Sequence, residues 1–411
     1  MEKIIKALNS PEESERLYAI QDIIALKDTP NKNKTDGYAN EADVYAETLV
    51  RHLESETSQA VRDSIVYALK LMPCTKALTL LFELFQNSDA YLRNAAVTIF
   101  GTKGVNGVAF LTSKLDHADR EVRKLVIDSL FQIGSKEDEF QLGSKEAVLA
   151  IRAGLNDPSI NVRITAVEYL GQLNDTQSVE DILDMLKSEK DQMLITAALE
   201  TVLQIGDETN IQDTIKFLSN NTLTGLNQIN LSSSSNNINL SQNEINTPVD
   251  ILKVHPVFLP EFIKLIAKCG SVDNLIGIIE FLHSKQTYSK DIVSAIEEIK
   301  NRYNSIVFEP IINDFLVNTI KSKDGDESSR YAAAELLLAE EEHIKNHDSS
   351  DKNIYLEIGK TLVKEQSMIS EGLRFLAKSD TSEGRTIIGD IKRKTKDENI
   401  VLLCDELGLL S

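Results

Sequence analysis

Along residues 121–133 the apolar side chains Val122, Val126, Ile127, Leu130 and Ile133 recur at i, i+4, i+5, i+8 and i+11, the period of a helix and not of a strand. Upstream, Val108, Leu111 and Leu115 line one face of a shorter helix, and the polar run Asp116-His117-Ala118-Asp119 separates the two. This pattern predicts a helix, a turn and a second helix covering each other's apolar faces. It recurs along the chain. Ile4, Ile5, Ala7 and Leu8 turn through Asn9-Ser10-Pro11 into Leu17, Ala19, Ile20, Ile23 and Ile24, a later pair turns through Asn156-Asp157-Pro158, and another spans about Val179 to Gly206. Proline suits such a turn because the first turn of a helix has no intrahelical use for that N–H.

Four second helices align without gaps: Ala60-Val61-Arg62-Asp63, Tyr91-Leu92-Arg93-Asn94, Glu121-Val122-Arg123-Lys124 and Asn161-Val162-Arg163-Ile164. Their arginines lie 31, 30 and 40 residues apart, and a fifth copy has Leu194-Ile195 in place of Val-Arg. Eleven positions after each register residue stand Pro73, Gly104, Gly134, Asn174 and Gly206, read as helix terminators, with the glycines at left-handed C-terminal positions. Self-similarity at this period marks stacked supersecondary units, each burying its apolar face only against its neighbours. The chain is therefore expected to be all-α, with two helices per unit.

Regular repeats are expected over 1–218, with surface loops at Lys27 to Glu41 and Ser135 to Glu146. Residues 219–256 read as a low-complexity insertion, uncharged from Ser219 through Asn243 and too polar to offset the entropy of ordering. Degenerate repeats are expected over 257–345, and a helical cap over 346–411. The helices predicted there are Val257–Lys268, Leu275–His283, Asp291–Tyr303, Glu309–Ile320, Ser328–His343, Ile354–Glu365, Met368–Ala377 and Ile400–Leu409.

The formal charge of −20 is spread along the chain, with 35 acidic against 23 basic residues in 1–218 and 29 against 21 beyond. A phosphate backbone would meet net repulsion, so no nucleic-acid partner is expected. Lys392-Arg393-Lys394 with Lys396 reads as a solvated helix end. Cys74, Cys269 and Cys404 form no CxxC pair, which argues against a disulfide scaffold and a cysteine metal site. No window approaches 18 uncharged apolar residues, so the expectation is a soluble, cytoplasmic protein without a membrane partner.

The unit Val-Arg-x-x-Ala-Val-x-x-Leu-x-x-x-Gly at a period near 31 resembles the HEAT repeat, in the short form first described in phycobilin lyases. The resemblance implies a right-handed αα-hairpin superhelix, a HEAT-like solenoid whose second helices line the concave surface. It also implies a ladder between neighbouring units, made by the arginine and a preceding acidic residue. Asp157 stands six positions before Arg163, whereas Glu56, Asn87 and His117 hold the equivalent places before Arg62, Arg93 and Arg123. Deoxyhypusine hydroxylases of this class carry His-Glu pairs for a di-iron centre; here none of the six histidines precedes Glu, and only His343 and His347 have metal-sharing spacing. Alkylpurine glycosylases of similar build use tryptophan, which this chain lacks. Neither a P-loop, a Gly-x-Ser-x-Gly elbow nor an HExxH motif occurs.

Binding leaves a different trace. Counted from the repeat arginine, positions +1, +5 and +9 lie on one side of the second helix, away from the apolar stripe. Position +5 reads Tyr67, Thr98, Asp128, Glu168 and Glu200, and position +9 reads Leu71, Thr102, Gln132, Gln172 and Gln204. These ten residues are the expected partner-binding columns on the concave face, suited to a basic or extended protein segment. The polar insertion could fold back over that face, with Ile229, Leu231, Ile238 and Leu240 as anchors. The functional expectation is a non-enzymatic scaffold or adaptor, an assembly, maturation or regulatory factor or complex subunit, that uses no cofactor. The alternative, implied by the phycobilin-lyase resemblance alone, is a lyase- or chaperone-like factor that handles a tetrapyrrole or other cofactor for a client.

Overall fold

The computed structural model describes residues 2–26, 35–72, 76–135, 144–189, 191–219, 258–282, 288–303, 310–322, 325–339 and 349–409. They form two compact bodies, Met1–Asp207 and Glu208–Ser411. The helix pairs of the first body are α1 (Glu2–Leu8) with α2 (Glu13–Ala25), α3 (Thr35–Ser55) with α4 (Gln59–Leu71), and α5 (Leu78–Glu83) with α6 (Ala90–Phe100). They continue as α7 (Gly104–Thr112) with α8 (Arg120–Gly134), α9 (Ser144–Ala153) with α10 (Ile160–Gln172), and α11 (Val179–Leu186) with α12 (Gln192–Ile205). The second helices α2, α4, α6, α8, α10 and α12 pack in series, each on the next, while α3 meets α5 and α7 meets α9.

The turns stop and restart the chain by side-chain capping. Asp89, Asp119 and Asp191 accept hydrogen bonds from the N–H groups of Tyr91, Glu121 and Met193, and Ser58 accepts one from Val61. The apolar stripe read from sequence is the core: Val122, Val126, Ile127, Leu130 and Ile133 are all buried. Between the third and fourth pairs the core is aromatic. Phe100 lies 5.5 Å from Phe85 and stacks on Phe110 at 5.9 Å, and Phe82 meets both Phe85 and Phe110.

The arginines tie each pair to the next. Arg123 Nε and Nη2 donate to the Asp157 carboxylate at 2.7 and 2.8 Å, while its Nη1 donates to the His117 carbonyl of its own turn at 2.7 Å. Arg16 reaches Glu56 in the same bidentate way, and Arg163 reaches Glu189 at 2.7 Å. The ladder is offset where the acid is missing. Asn87 cannot accept Arg62 as a carboxylate, so Arg62 pairs with Asp89 at 3.1 Å instead. Arg93, facing the His117 slot, donates to the carbonyls of Asn87 and Ser88 in its own turn.

Burial pushes the Asp157 carboxyl up, but Arg123 and the Ser159 N–H outweigh it and hold the group below the usual carboxylate range. The same balance, through Ser58 and Arg16, holds Glu56 low. A carboxylate depressed in the folded state contributes stability above its unfolded pKa, near 4. That stability is lost as pH falls through the lower, folded value. Urea melts of the chain are therefore expected to change little between about pH 7 and 5 and to weaken steeply below about pH 4. Glu56→Gln with Asp157→Asn should flatten the acid limb; an unchanged limb would mean other carboxylates set it.

Carbonyls at the C-terminal ends of several second helices are covered by a donor from the following pair. The buried Lys103 ammonium, in the turn between α6 and α7, takes the carbonyl of Leu69 in the last turn of α4 and that of Met72 just beyond it, and Gln204 in α12 takes that of Gly171 in α10.

The second body repeats the plan with α13 (Glu208–Ser219) and α14 (Leu259–Cys269), α15 (Val272–Leu282) and α16 (Ser289–Tyr303), and α17 (Pro310–Lys321) and α18 (Glu327–Leu338). It continues with α19 (Ser349–Leu362) and α20 (Ile369–Lys378), then α21 (Ser382–Lys394) and α22 (Glu398–Leu409). Its second helices again pack in series: α14, α16, α18, α20 and α22. The capping device recurs, with Arg302 donating to Ile266 and Gly270 carbonyls and Lys378 to those of Leu337 and Leu338. An arginine rung recurs too: Arg330 Nη2 lies 2.8 Å from Glu365.

Several expectations change. Residues 35–41, expected in a loop, belong to helix α3, and residues 27–34 and 136–143 lie outside the described residues. Apart from Ser219 at the end of α13, so does nearly all of the 219–256 insertion, as do His343 and His347. Helix α21 has no counterpart among the predicted ranges, but it ends at Lys394, where the basic run reads as a helix end. Among the terminators, Asn174 has φ 53 and closes α10 through the Asp175 N–H to Leu170 carbonyl bond of a Schellman turn. Gly104, also at φ 53, opens α7 and does not end α6, which stops at Gly101. Gly206 is an extended cap, and Gly134 is the last residue of α8.

Candidate functional site

Position +5 or +9 on a second helix lies about one and a half or two and a half turns beyond the arginine and points away from the stripe that fills the core. The structure keeps every one of the ten predicted residues out of the core. It does not leave them equally available. Thr98 donates back to the Asn94 and Ala95 carbonyls, and Thr102 to that of Ile99, so both hydroxyls serve their own helix. Gln132 lays its stem on the preceding helix, where a Cβ at Gly101 would lie 2.7 Å from its own. Gln204 is committed to Gly171.

Asp128 is also engaged. It accepts from Lys124 at 3.2 Å and from the Tyr169 hydroxyl at 2.8 Å, while the Tyr169 ring stacks on Phe131 at 4.0 Å. Burial, then the Asp128 charge, pushes the Tyr169 hydroxyl well above the usual phenol range. A parallel clamp sits two helix pairs earlier, where the Tyr91 hydroxyl donates to Asp63 at 2.8 Å under the Arg62 guanidinium. There, burial and Asp63 push the phenol up to about 12. These tyrosines brace adjacent helices. Tyr67, Glu168, Gln172 and Glu200 are exposed and make neither an ion pair nor a side-chain hydrogen bond among the described residues; Leu71 is half-buried.

Sequence reasoning missed a feature at the N-terminal ends of the same helices. Pro158, Ile160, Ile164 and Met193 line a notch of about 530 Å³ between α8, α10 and α12, with Arg120 and Asp191 on its rim. Met193 is 72% exposed and Ile160 38%, which a residue serving the core would not be. The signal was legible in the repeat alignment. Position −2 reads Ala60, Tyr91, Glu121 and Asn161 before Met193, and position +1 reads Asp63, Asn94 and Lys124 before Ile164. An apolar side chain on an otherwise mostly polar row marks a place where burial is supplied by something else.

Residues 108–203, which carry this notch and the free glutamates, match the family model for HEAT repeats. The fold is a HEAT-like solenoid. A chain of the Kap95p–RanGDP structure is similar over 99% of this protein and 57% of its own length, at 12% identity and TM-score 0.51. Importin beta is similar over 99% of this protein and 59% of its own length, at 12% identity and TM-score 0.50. The solenoid thus spans under three fifths of either relative, and at this identity the likeness concerns the fold. No curated protein matches the sequence. Among the described residues no cluster of His, Cys, Asp and Glu could hold a metal, and no helix is long and apolar enough to cross a membrane.

Proposed function

We propose that this HEAT-like solenoid is a non-enzymatic protein-binding scaffold that holds a basic, extended segment of a partner against the exposed face of its second helices, as an assembly, maturation or regulatory factor. The observation that carries the reading is the pair Glu168 and Glu200. They occupy one register position on neighbouring helices, exposed and without a counter-charge, whereas Arg16, Arg62, Arg123 and Arg163 all have carboxylate partners. Neighbouring helices lie about 8–10 Å apart, so one cationic side chain between them can address both carboxylates. Kap95p, the relative of similar fold, binds RanGDP, which is in keeping with a protein partner here.

Charge reversal tests this directly. Asp128 is a poor choice, because Asp128→Lys would strand the Tyr169 hydroxyl and set a second ammonium beside Lys124. Glu168→Lys with Glu200→Lys alters only exposed groups, so helicity and melting should be unchanged. Capture of the native partner, identified by tagged purification and mass spectrometry, should fall about tenfold or more and become less sensitive to salt. Undiminished capture at low ionic strength would eliminate this face as the binding surface.

A further inference from the structure

We infer that the notch formed by Ile160, Ile164 and Met193 is a specificity pocket for a bulky apolar side chain, and that the partner segment carries this side chain two residues from a lysine or arginine. This rests on the reading of the second-helix face as the binding surface and goes beyond it by giving the motif. The pocket and the free carboxylates belong to one surface: Glu168 follows Ile164 by four residues on α10, and Glu200 follows Met193 by seven on α12. Four residues of helix rise about 6 Å along the axis. In an extended chain, side chains i and i+2 point the same way and lie about 6.6 Å apart. A segment running along α10 and α12 therefore sets one side chain into the notch beside Ile164 and the second following one at the level of Glu168; Glu200, about 10.5 Å along its helix from Met193, lies within reach of the long lysine or arginine side chain from there.

Charge selects the chemistry of that second side chain. Glu168 and Glu200 favour a cation, and Arg120 on the far rim is already 3.3 Å from Glu121. Asp191 is spent as the cap of α12, accepting from Met193 and Leu194. The notch itself offers apolar surface: Met193, 72% exposed, is flexible enough to close on either a branched or an aromatic occupant.

The test is selection of a random dodecapeptide library, displayed on phage, on the full chain, followed by fluorescence anisotropy with the enriched synthetic peptides. Enrichment of Leu, Ile, Phe or Met two positions from Lys or Arg is expected. Met193→Asp should weaken those peptides about tenfold or more, with an unchanged circular dichroism spectrum because the residue is exposed. Peptides lacking this pair, peptides that bind Met193→Asp as tightly as the parent, or no enrichment at all would each overturn the pocket. Affinity lost in Glu168→Lys with Glu200→Lys but kept in Met193→Asp removes the pocket and leaves the binding face standing. Affinity kept in both removes the face as well.

Discussion

Replacing Arg123 with alanine is expected to lower the stability of the first body by about 3 kcal/mol, at the low end of the range for breaking a buried ion pair. Arg123 and Asp157 are 7% and 9% exposed, so the Asp157 carboxylate left behind would keep its desolvation and lose its principal counter-charge. It would retain only the Ser159 N–H and the more distant attraction of Arg163. The turn carbonyls of His117 and Ala118 would lose their donor as well. For a body of this size the melting temperature should fall by roughly 6–12 °C. Arg93→Ala supplies the internal comparison. Among the described residues Arg93 donates only to the Asn87 and Ser88 carbonyls, and its loss should cost about 1–2 kcal/mol. Equal effects of the two substitutions in urea melts would show that the cross-unit rung adds nothing to the turn hydrogen bonds.

Phe100→Ala should be at least as damaging, at about 3–5 kcal/mol. Phe100 is fully buried, and its ring touches Phe85 from its own pair and Phe110 from the next. Removing it opens a cavity that neither neighbour can fill without leaving Phe82, which packs against both. Solenoids need not unfold in one step, so the decisive measurement is local. Hydrogen exchange of α5 through α8 should accelerate by orders of magnitude while α10 and α12 change less. A uniform acceleration across the first body would instead show that its units unfold together.

These two residues also show how far the chain could be read. The core around Arg123 was legible because burial follows helical period: Val122, Val126 and Ile127 recur on one face of α8 and all are buried. The arginine register was equally plain, yet its partners were only partly so. Asp157 and Glu56 sit at the expected offset, but nothing in residue spacing announced that Arg62 would shift to Asp89 when Asn87 displaced the acid. In the second body the Val-Arg signature is absent, so the Arg330–Glu365 ion pair escaped notice; there Nη2 alone approaches the carboxylate while Nε donates to the Ile320 carbonyl. The direction in which the ten column residues point was legible, since all ten avoid the core. Their availability was not, because hydrogen bonds such as Tyr169 to Asp128 join residues far apart in sequence and no periodicity encodes them. The notch was visible in principle, but only to a comparison of rows that face solvent and not of rows that face the core.

The carbonyl caps give the array a polarity in its energetics. Lys103, in the turn after α6, and Gln204, Arg302 and Lys378, in α12, α16 and α20, each cover carbonyls of the second helix one pair earlier. Neighbour interactions are thus not interchangeable: a unit receives at its carbonyl end what its successor supplies, and supplies the same in turn to the unit before it. Damage to one helix pair therefore propagates preferentially upstream. A transplanted pair would arrive with its donor aimed at a predecessor that must present carbonyls in the right place, so units of this protein can be exchanged only together with the junction that precedes them.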